Sequence, residues 1–423
     1  MALVRLSCLF GLAATIASAQ PNMPAEVVPR ACQIGIFTGG ADRFVSITAL
    51  SDGHFYTFSD GHFGRVGAAD SRVLCGGDTV WVDGAKLWPK TRLRETDTVF
   101  ESNGTALAGR LLEHPSADAE TPLIVYAHGS EETGWIEQMP DPYQMVGRGV
   151  SVFVYDKRGT GRSLGSYTQN FPLLADDLVA ASLEAKRLAQ GRFGRFGLIG
   201  LSQGGWIAPL AADRADAEFI GVGYGLVVDI REEDAEQAAL HLRDAGFGED
   251  ALQAARKITD ITARIVTSGY QDGLDDLDAA REAYGNEPWF PLLQDGYTGV
   301  LLSMPTDDIR RNGIPMFDRL DVDWSLDPME VMRGVEVPQM WALAGEDREA
   351  PIATTLERLQ TLRSEGRDLS IYLFPDTDHG MVDYRLDEDG DRIPIRVTEG
   401  YYDLMADWAK GTLGPKYGLS SAQ

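Results

Sequence analysis

The sequence contains few cysteines and histidines and, after its N-terminus, no long apolar run. Among 423 residues there are 3 cysteines and 6 histidines. Two of the cysteines, Cys32 and Cys75, lie too far apart to give the short spacing of a structural zinc site. No later stretch approaches the ~20 apolar residues that span a bilayer, and no internal repeat or low-complexity tract is present. These absences argue against a membrane bundle and a repeat protein.

Basic residues are also scarce, since 38 Lys and Arg stand against 64 Asp and Glu, for a formal net charge of −26. Such a surface repels phosphate backbones, so nucleic-acid binding is not expected. No basic amphipathic helix indicates docking to a membrane surface. With 44% hydrophobic and 24% charged residues, the composition is that of a globular protein. The length suggests two or three structural units, at ~150 residues per unit.

The first 19 residues have the pattern of a secretory signal peptide. Arg5 supplies a positive charge, residues 6–16 form a short apolar stretch, and 17–19 (Ala-Ser-Ala) fits a cleavage site. We therefore expect a signal peptide over 1–19, a mature start at Gln20, and a secreted or periplasmic protein. The alternative is an N-terminal membrane anchor, for which the apolar stretch is short.

Cysteine usage fits export. Cys8 leaves with the signal peptide, and Cys32 and Cys75 remain in one N-terminal region. Two thiols in an exported chain suggest a single disulfide. The pairing itself is left open by the sequence.

Residues 20–92 are predicted to form a small β-rich domain. Glycine, aromatic and β-branched residues are frequent there, and the alternations at 44–48 and 54–58 predict short antiparallel strands. Turn signals such as Ser-Asp-Gly at 51–53 separate these strands.

Residues 93–228 and 333–423 are predicted to form an α/β fold. Short apolar runs there suit buried parallel strands. The runs lie at 123–127, 151–155, 196–200, 219–223, 339–344 and 369–374. Helix-like segments such as 176–189 lie between them. This alternation implies a mostly parallel sheet with helices on both faces.

The alternation is interrupted over 229–332, which is acidic and helical in pattern, as at 233–245 and 250–267. About 100 residues between two strands predict a helical cap or lid. A helical decoration without that role is the alternative.

The segment 200–204 reads Gly-Leu-Ser-Gln-Gly and is the sharpest motif in the chain. It follows the apolar strand 196–199 and precedes a helix-compatible run, which is the context of a G-x-S-x-G nucleophile elbow. Side chains at Gly200 and Gly204 would collide with the neighbouring strand and helix. Ser202 is therefore the expected nucleophile.

The base must follow Ser202 in the chain, since this fold orders its triad as serine, acid and histidine. Only His241 and His379 do so. His241 falls in an acidic helical stretch, where a solvated face is expected. His379 follows an apolar strand, in the loop where sites of parallel sheets gather. We therefore expect His379 to be the base.

The acid should follow the preceding strand, and Asp347 is the expected residue because it can orient the imidazole of His379. Its immediate neighbour Glu346 is the rival, and only one of the two can serve because adjacent residues on a turn point differently. Asp376 and Asp378 are expected to be solvated loop carboxylates.

The oxyanion hole needs two backbone donors. The amide of Gln203, directly after the nucleophile, is expected to be the first. The loop 128–134 follows the strand at 123–127, and the amide of Ser130 is expected to be the second, with Gly129 permitting a close turn. A tight strand exit without this role is the alternative. His128 is expected to be a satisfied structural histidine.

Neither a calcium loop nor a phosphate loop is expected. In the acidic run 387–391, aligning Gly390 with the glycine of a calcium loop puts Arg385 and Arg396 where two essential carboxylates belong. The glycine-rich segment 158–165 lacks the G-x-x-x-x-G-K-[ST] pattern of a phosphate loop.

With these motifs in order, the chain resembles the α/β-hydrolase superfamily over about 93–228 and 333–415. The segment 155–163 (Y-D-K-R-G-T-G-R-S) is similar to the family's D-x-R-G-x-G-x-S segment. The resemblance implies that Asp156 and Arg158 form a structural ion pair that pins the loop. The chain looks most like secreted or periplasmic bacterial esterases with a β-rich N-terminal extension and a helical cap.

Two departures from the family pattern are present. Many relatives space the acid as G-x-x-D, whereas 345–347 is one residue shorter, which keeps Glu346 open as the acid. The loop 128–134 lacks the HGGG run of the lipase and esterase subgroup, which disfavours that subgroup.

The sequence therefore predicts a serine hydrolase of carboxylesterase type that acts on a small-molecule ester. The expected triad is Ser202, Asp347 and His379, with Ser130 and Gln203 at the oxyanion hole and no cofactor or metal. A peptidase, thioesterase or acyltransferase with the same triad is the alternative, as is a non-catalytic binding protein. The oligomeric state and the acyl chain length are not predicted.

Overall fold

The computed structural model describes residues 31–40, 43–317 and 320–423. The predicted signal peptide at 1–19 and the predicted mature start at Gln20 lie outside the described residues.

The N-terminal part of the described chain forms two small antiparallel sheets. Their strands are β1 (Gly35–Thr38), β2 (Phe44–Leu50), β3 (Gly53–Phe58), β4 (Phe63–Arg65), β5 (Val73–Cys75), β6 (Thr79–Val82) and β7 (Lys86–Pro89). β1 to β4 form one sheet in chain order, and β5 to β7 form the other. The predicted alternations at 44–48 and 54–58 lie within β2 and β3. The predicted disulfide joins Cys32, just before β1, to Cys75 in β5, with their Cα atoms 5.1 Å apart.

The later strands build the central sheet and one separate hairpin. They are β8 (Arg94–Ser102), β9 (Thr105–Glu113), β10 (Leu123–Ala127), β11 (Ser151–Tyr155), β12 (Phe196–Leu201), β13 (Phe219–Gly223), β14 (Gln339–Ala344), β15 (Leu369–Phe374), β16 (Val382–Leu386), β17 (Arg392–Val397) and β18 (Ser421–Ala422). β16 and β17 form a separate hairpin, and the others form one sheet in the order β18-β15-β14-β13-β12-β10-β11-β9-β8. The pairings from β15 through β11 are parallel, and the edge strands β18, β9 and β8 pair antiparallel.

The helices connect these strands. They are α1 (Asp141–Gly147), α2 (Phe171–Leu188), α3 (Gly204–Ala211), α4 (Ile230–Asp244), α5 (Glu249–Thr267), α6 (Leu274–Tyr284), α7 (Gly296–Ser303), α8 (Thr306–Phe317), α9 (Pro328–Gly334), α10 (Ala353–Ser364) and α11 (Tyr401–Lys410). Among the described residues, none of them combines the length and the apolar character needed to cross a bilayer.

Two hydrophobic layers cover the central sheet because successive side chains of a strand point to opposite faces. In β10, Leu123 and Val125 pack with residues of α2, α3 and α10, whereas Ile124 and Tyr126 pack with residues of α1 and α11. All four side chains are buried. Helices therefore lie on both faces of a mostly parallel sheet, and the predicted fold class is confirmed.

Helices α4 to α9 are inserted between β13 and β14. α4 begins with a capping box, in which the Asp229 side chain accepts hydrogen bonds from the Arg231 and Glu232 amides, and the Glu232 side chain accepts one from the Asp229 amide. Glu232 also pairs with Arg358 of α10 at 2.6 Å. This ion pair therefore joins α4, the first inserted helix, to α10 in the helix layer that packs on the central sheet.

The strand order opens a crevice at one edge of the sheet. β10 and β12 are neighbours, but β11 lies on the far side of β10 and β13 lies on the far side of β12. The connections that leave the carboxyl ends of β10 and β12 therefore diverge, which is where open α/β sheets bind their ligands.

The disulfide gives a test of the N-terminal sheets. Replacing both cysteines, as Cys32→Ser with Cys75→Ser, is expected to lower the unfolding free energy by up to about 4 kcal/mol, because the bond closes a loop with a sequence separation of 43. Denaturant unfolding of the oxidised protein and of the double variant measures the difference. Reductant should destabilise the first and leave the second unchanged. Equal stability of the two oxidised samples would contradict the prediction.

Candidate active site

Ser202 occupies the sharp turn between β12 and α3. Its φ angle is +50°, in the left-handed region that residues with a Cβ seldom adopt. The Ser202 amide donates to the Gly223 carbonyl at 3.0 Å, and the Ser202 carbonyl accepts from the Gly205 amide at 2.8 Å. These bonds hold a strained turn, and such strain is concentrated at functional sites.

The motif glycines are required by close packing. A Cβ atom at Gly200 would lie 2.2 Å from the Gly204 carbonyl oxygen, and one at Gly204 would lie 2.3 Å from the Ala127 carbonyl oxygen. Non-bonded atoms do not approach so closely, so the collisions predicted from the sequence are confirmed. Glycine at both positions lets the strand, the turn and the helix approach one another.

The structure brings Ser202, His379 and Asp347 together. The Ser202 hydroxyl is hydrogen-bonded to Nε2 of His379 at 3.1 Å, and Nδ1 of His379 donates to Oδ2 of Asp347 at 2.8 Å. The other oxygen of Asp347 accepts from the amides of Glu349 at 3.1 Å and Ala350 at 2.7 Å. The Asp347 side chain is 0% exposed and that of His379 is 16% exposed. A continuous hydrogen-bonded chain therefore runs from a hydroxyl to a buried, fixed carboxylate.

The other acidic candidates lie elsewhere in the same loops. Glu346, the sequence rival of Asp347, is half-exposed and its carboxylate is 3.3 Å from the Arg392 guanidinium. Asp378 accepts from the His379 amide at 2.9 Å and pairs with Arg392 at 2.9 Å. Its side chain is only 15% exposed, so the expectation of a solvated carboxylate is wrong for Asp378. Asp376 is exposed, as expected.

The surroundings of His379 favour its protonated form. Burial lowers the pKa of His379, but the charges of Asp347 and Glu349, the hydrogen bond to Asp347 and the charge of Glu233 outweigh burial and raise this pKa to about 10. An imidazole with a raised pKa holds a proton strongly once it has taken one. The site therefore stabilises the ion that proton transfer from a hydroxyl would create.

Tyr224 is a neighbour of His379 that the sequence did not reveal. Its ring packs edge-on against the imidazole, with ring centroids 5.0 Å apart and an interplanar angle of 80°. The φ angle of Tyr224 is +42°, which is unusual for a bulky residue. Its amide donates to the Ala342 carbonyl at 2.8 Å. The flanking glycines Gly223 and Gly225 were the available signal for this sharp exit from β13.

The loop after β10 lies against Ser202. A Cβ at Gly129 would be 3.5 Å from Cβ of Ser202. The buried Lys157 ammonium donates to the Gly129 carbonyl at 2.6 Å. Because that peptide bond is trans, the Ser130 amide points away from Lys157. The Tyr167 hydroxyl donates to the Ser130 carbonyl, so the peptide units on both sides of Ser130 are fixed.

Gln203 precedes the first residue of α3 as its N-cap residue and is buried. Amides at the start of a helix lack partners within the helix and carry its positive dipole end. Both predicted oxyanion donors thus border Ser202, Gln203 along the chain and Ser130 through Gly129.

The predicted ion pair between Asp156 and Arg158 is wrong. Arg158 forms two hydrogen bonds with the Asp177 carboxylate of α2, at 2.7 and 2.5 Å. Asp156 accepts from the amides of Trp135 at 2.7 Å and Ile136 at 3.1 Å. Two carboxylate oxygens match the fork of a guanidinium, and Asp177 presents both. Asp156 therefore fastens the loop after β10, while Arg158 fastens α2.

Two further histidines have other surroundings. His128 is buried and stacks on Trp135 with ring centroids 4.3 Å apart. Burial and the nearby Lys157 charge lower the pKa of His128 well below its ordinary value, so this imidazole is neutral. His241 lies in α4 with Nδ1 3.4 Å from the Asp295 carboxylate and its side chain 17% exposed. The expectation of a solvated face for His241 is therefore wrong.

The acidic run 387–391 forms the turn between β16 and β17. The Asp387 side chain accepts from the amides of Asp389 and Asp391 at 3.0 and 2.9 Å. Across the described part of the chain, no group of three or more His, Cys, Asp or Glu side chains is arranged to hold a metal ion.

Comparison with known proteins finds one matching family and several similar structures. Residues 124–392 match the model of the alpha/beta hydrolase family. An esterase of Pyrococcus furiosus is 12% identical and similar over 69% of this chain and 84% of its own, with a TM-score of 0.43. An acylaminoacyl peptidase of Pyrococcus horikoshii is 14% identical over 81% of this chain and 46% of its own, with a TM-score of 0.42. A fungal esterase from Rhizomucor miehei is 15% identical over 76% and 82%, with a TM-score of 0.40. A search of curated proteins finds no match.

The turn geometry predicts the effect of one added methyl group. Gly204→Ala is expected to lower the unfolding free energy by about 1–3 kcal/mol, because the new Cβ has no room beside Ala127. Gly334→Ala is the control, since no atom lies within 4 Å of a Cβ built there. Chemical denaturation of both variants measures the difference. If Gly204→Ala is as stable as the control, the packing argument fails.

Proposed function

The chain belongs to the alpha/beta hydrolase family, and on that basis we propose that it is a serine hydrolase of the carboxylesterase type. Ser202 is the proposed nucleophile, His379 the general base and Asp347 the carboxylate that orients the base. The observation that carries the proposal is the continuous chain of hydrogen bonds through these three side chains.

In the proposed reaction, Oγ of Ser202 attacks the acyl carbonyl while its proton passes to Nε2 of His379. The imidazolium then gives this proton to the leaving alcohol, and the acyl group remains on Ser202. A water molecule then attacks the acyl carbonyl while giving a proton to His379, and the imidazolium returns that proton to Oγ of Ser202 as the acyl–Oγ bond breaks and the acid leaves. Asp347 holds the imidazole and stabilises its charge without taking the proton. These steps require no metal or organic cofactor.

We propose the amides of Ser130 and Gln203 as the oxyanion hole. Lys157 holds the carbonyl of Gly129. The amide of Ser130 belongs to the same trans peptide unit and therefore points away from Lys157, which leaves it available as a donor. The position of Gln203 at the start of α3 supports the second donor. Each donor is expected to contribute about 10²–10³ in turnover.

Further assignments follow the same proposal. We propose a signal peptide at 1–19, a β-rich domain at 20–92, a core at 93–228 and 333–423, and a cap at 229–332. The contact of α4 with the loop that carries Asp347, through Gln237 and the Glu349 carbonyl at 3.2 Å, supports the role of a cap. The Cys32–Cys75 bond supports a secreted or periplasmic location, since disulfides persist in oxidising compartments. The proposed partner is a small-molecule ester.

Removal of the nucleophile is the first test. Ser202→Ala is expected to reduce hydrolysis of a p-nitrophenyl ester by at least about 10³-fold, because no other group can form the acyl-enzyme. The variant should also resist labelling by a fluorophosphonate probe that labels the wild type. Ser364→Ala, on the exposed end of α10, is the control and should keep full activity and labelling.

The same assay separates the alternatives. Matched ester, thioester and amide substrates are compared, and the ester is expected to have the highest kcat/KM. A higher value for the amide or thioester would favour a peptidase or thioesterase. A wild type that neither reacts with the probe nor hydrolyses any of them would favour a binding protein and refute the proposal.

Substitution of the orienting carboxylate is the second test. Asp347→Asn is expected to lower kcat by about 10³–10⁴, because an amide cannot hold the imidazole in the required tautomer. Glu346→Gln, the adjacent change, should alter kcat by less than about twofold, since Glu346 faces Arg392. Steady-state kinetics of the two purified variants measure both effects. A larger loss of kcat in Glu346→Gln than in Asp347→Asn would show that Glu346 is the acid.

A further inference from the structure

Two carboxylates, rather than one, face the imidazole of His379. Asp347 is hydrogen-bonded to Nδ1 at 2.8 Å. Oε1 of Glu349 lies 3.9 Å from Nε2, the same nitrogen that is hydrogen-bonded to the Ser202 hydroxyl. Glu349 is 46% exposed, so its carboxylate reaches the imidazole from the solvent side, while Asp347 reaches it from the buried side.

The backbone at Glu349 is held from two directions. Its amide donates to Oδ1 of Asp347 at 3.1 Å. Its carbonyl accepts from the side-chain amide of Gln237, in α4, at 3.2 Å. The position of the second carboxylate is therefore set jointly by the triad acid and by the first inserted helix.

The other charged or titratable groups around His379 do not supply the same charge at neutral pH. Burial and the nearby Glu349 raise the pKa of Glu233, in α4, to about 8, so Glu233 is mostly neutral at pH 7. Asp378 accepts from the His379 amide and is paired with Arg392. Tyr224 presents a ring to the imidazole. Glu349 is thus the second negative charge that faces the ring at neutral pH.

We propose that Glu349 is a positioning residue that stabilises the protonated imidazole of His379, and that α4 holds it in place through Gln237. The inference rests on the proposed serine hydrolase function. The proton moves from Oγ of Ser202 to Nε2 and then to the leaving oxygen. Glu349 forms no bond to substrate and takes no proton; it attracts the positive charge that exists between these two transfers.

The charge of Glu349 has two opposing effects on the rate. It holds a proton on the free base, so a higher pH is needed before His379 can act. It also stabilises the imidazolium of the transition state, which increases the rate once the base is free. Removing this charge should therefore shift the pH profile and lower its plateau together.

The experiment compares pH profiles of kcat/KM for the wild type and Glu349→Gln with a neutral ester. The acid limb of the variant is expected to move about 0.5–1 unit toward lower pH, and its plateau is expected to fall about three- to tenfold. Glu349→Asp keeps the negative charge, so its acid limb should lie between those of the wild type and Glu349→Gln. High salt should reduce the difference between the wild type and Glu349→Gln, because the carboxylate is partly exposed.

Two further variants test the role of position. Glu346→Gln removes an acid from the same loop and should leave the profile unchanged. Gln237→Ala releases the Glu349 carbonyl and should move the acid limb in the same direction by a smaller amount. A profile of Glu349→Gln that superimposes on the wild type, or an equal shift in Glu346→Gln, overturns the inference. If either result is found while hydrolysis still depends on Ser202, the inference about Glu349 fails and the proposed function stands. Full activity of Ser202→Ala would instead refute the proposed function.

Discussion

The arrangement of the site depends on the two hydrogen bonds of the His379 imidazole, one to Ser202 and one to Asp347. Its two nitrogens reach side chains that follow different strands, Ser202 after β12 and Asp347 after β14. Neighbouring strands are ~4.8 Å apart, so these two residues start ~10 Å from each other, and one ring must close the gap. His379 comes from a third strand, β15, and its loop must return across β14. Only a fixed register of these parallel strands allows both contacts at once.

Holding that register requires unusual backbone at the carboxyl ends of the strands. Ser202 and Tyr224 both have positive φ angles, each at an expected cost of about 1–3 kcal/mol. Both amides donate to the adjacent strand, to Gly223 and Ala342, so the sheet itself fixes the strained residues. In these conformations the hydroxyl of Ser202 is hydrogen-bonded to the imidazole of His379, and the ring of Tyr224 packs edge-on against the same imidazole.

The sequence predicts those features that local patterns determine. Five of the six apolar runs coincide with strands, and the sixth ends one residue early, because short buried strands carry a nearly continuous apolar signal. The elbow could be located because its glycines are sterically required. The partner of Arg158 could not, since Asp177 lies on a helix whose approach depends on tertiary packing. For Tyr224 the flanking glycines were the single local signal, because the residue type itself disfavours a positive φ angle and the assembled sheet enforces it.

The acidity of the chain also bears on how α4 meets the site. The chain has a net charge of −26. In its fold, the helix that carries Glu233 lies beside the loop that carries Asp347 and Glu349, and ionised carboxylates at this place repel one another. The folded state raises the pKa of Glu233 from 4.5 to about 8. Between these two pKa values the folded protein keeps a proton on Glu233 that the unfolded chain releases. The free energy of unfolding therefore falls as the pH rises from 4.5 to about 8. Alkaline pH, which frees the His379 base, also ionises Glu233 and adds a further negative charge beside the imidazole. The protonation of His379 and that of Glu233 in the inserted helix therefore influence each other.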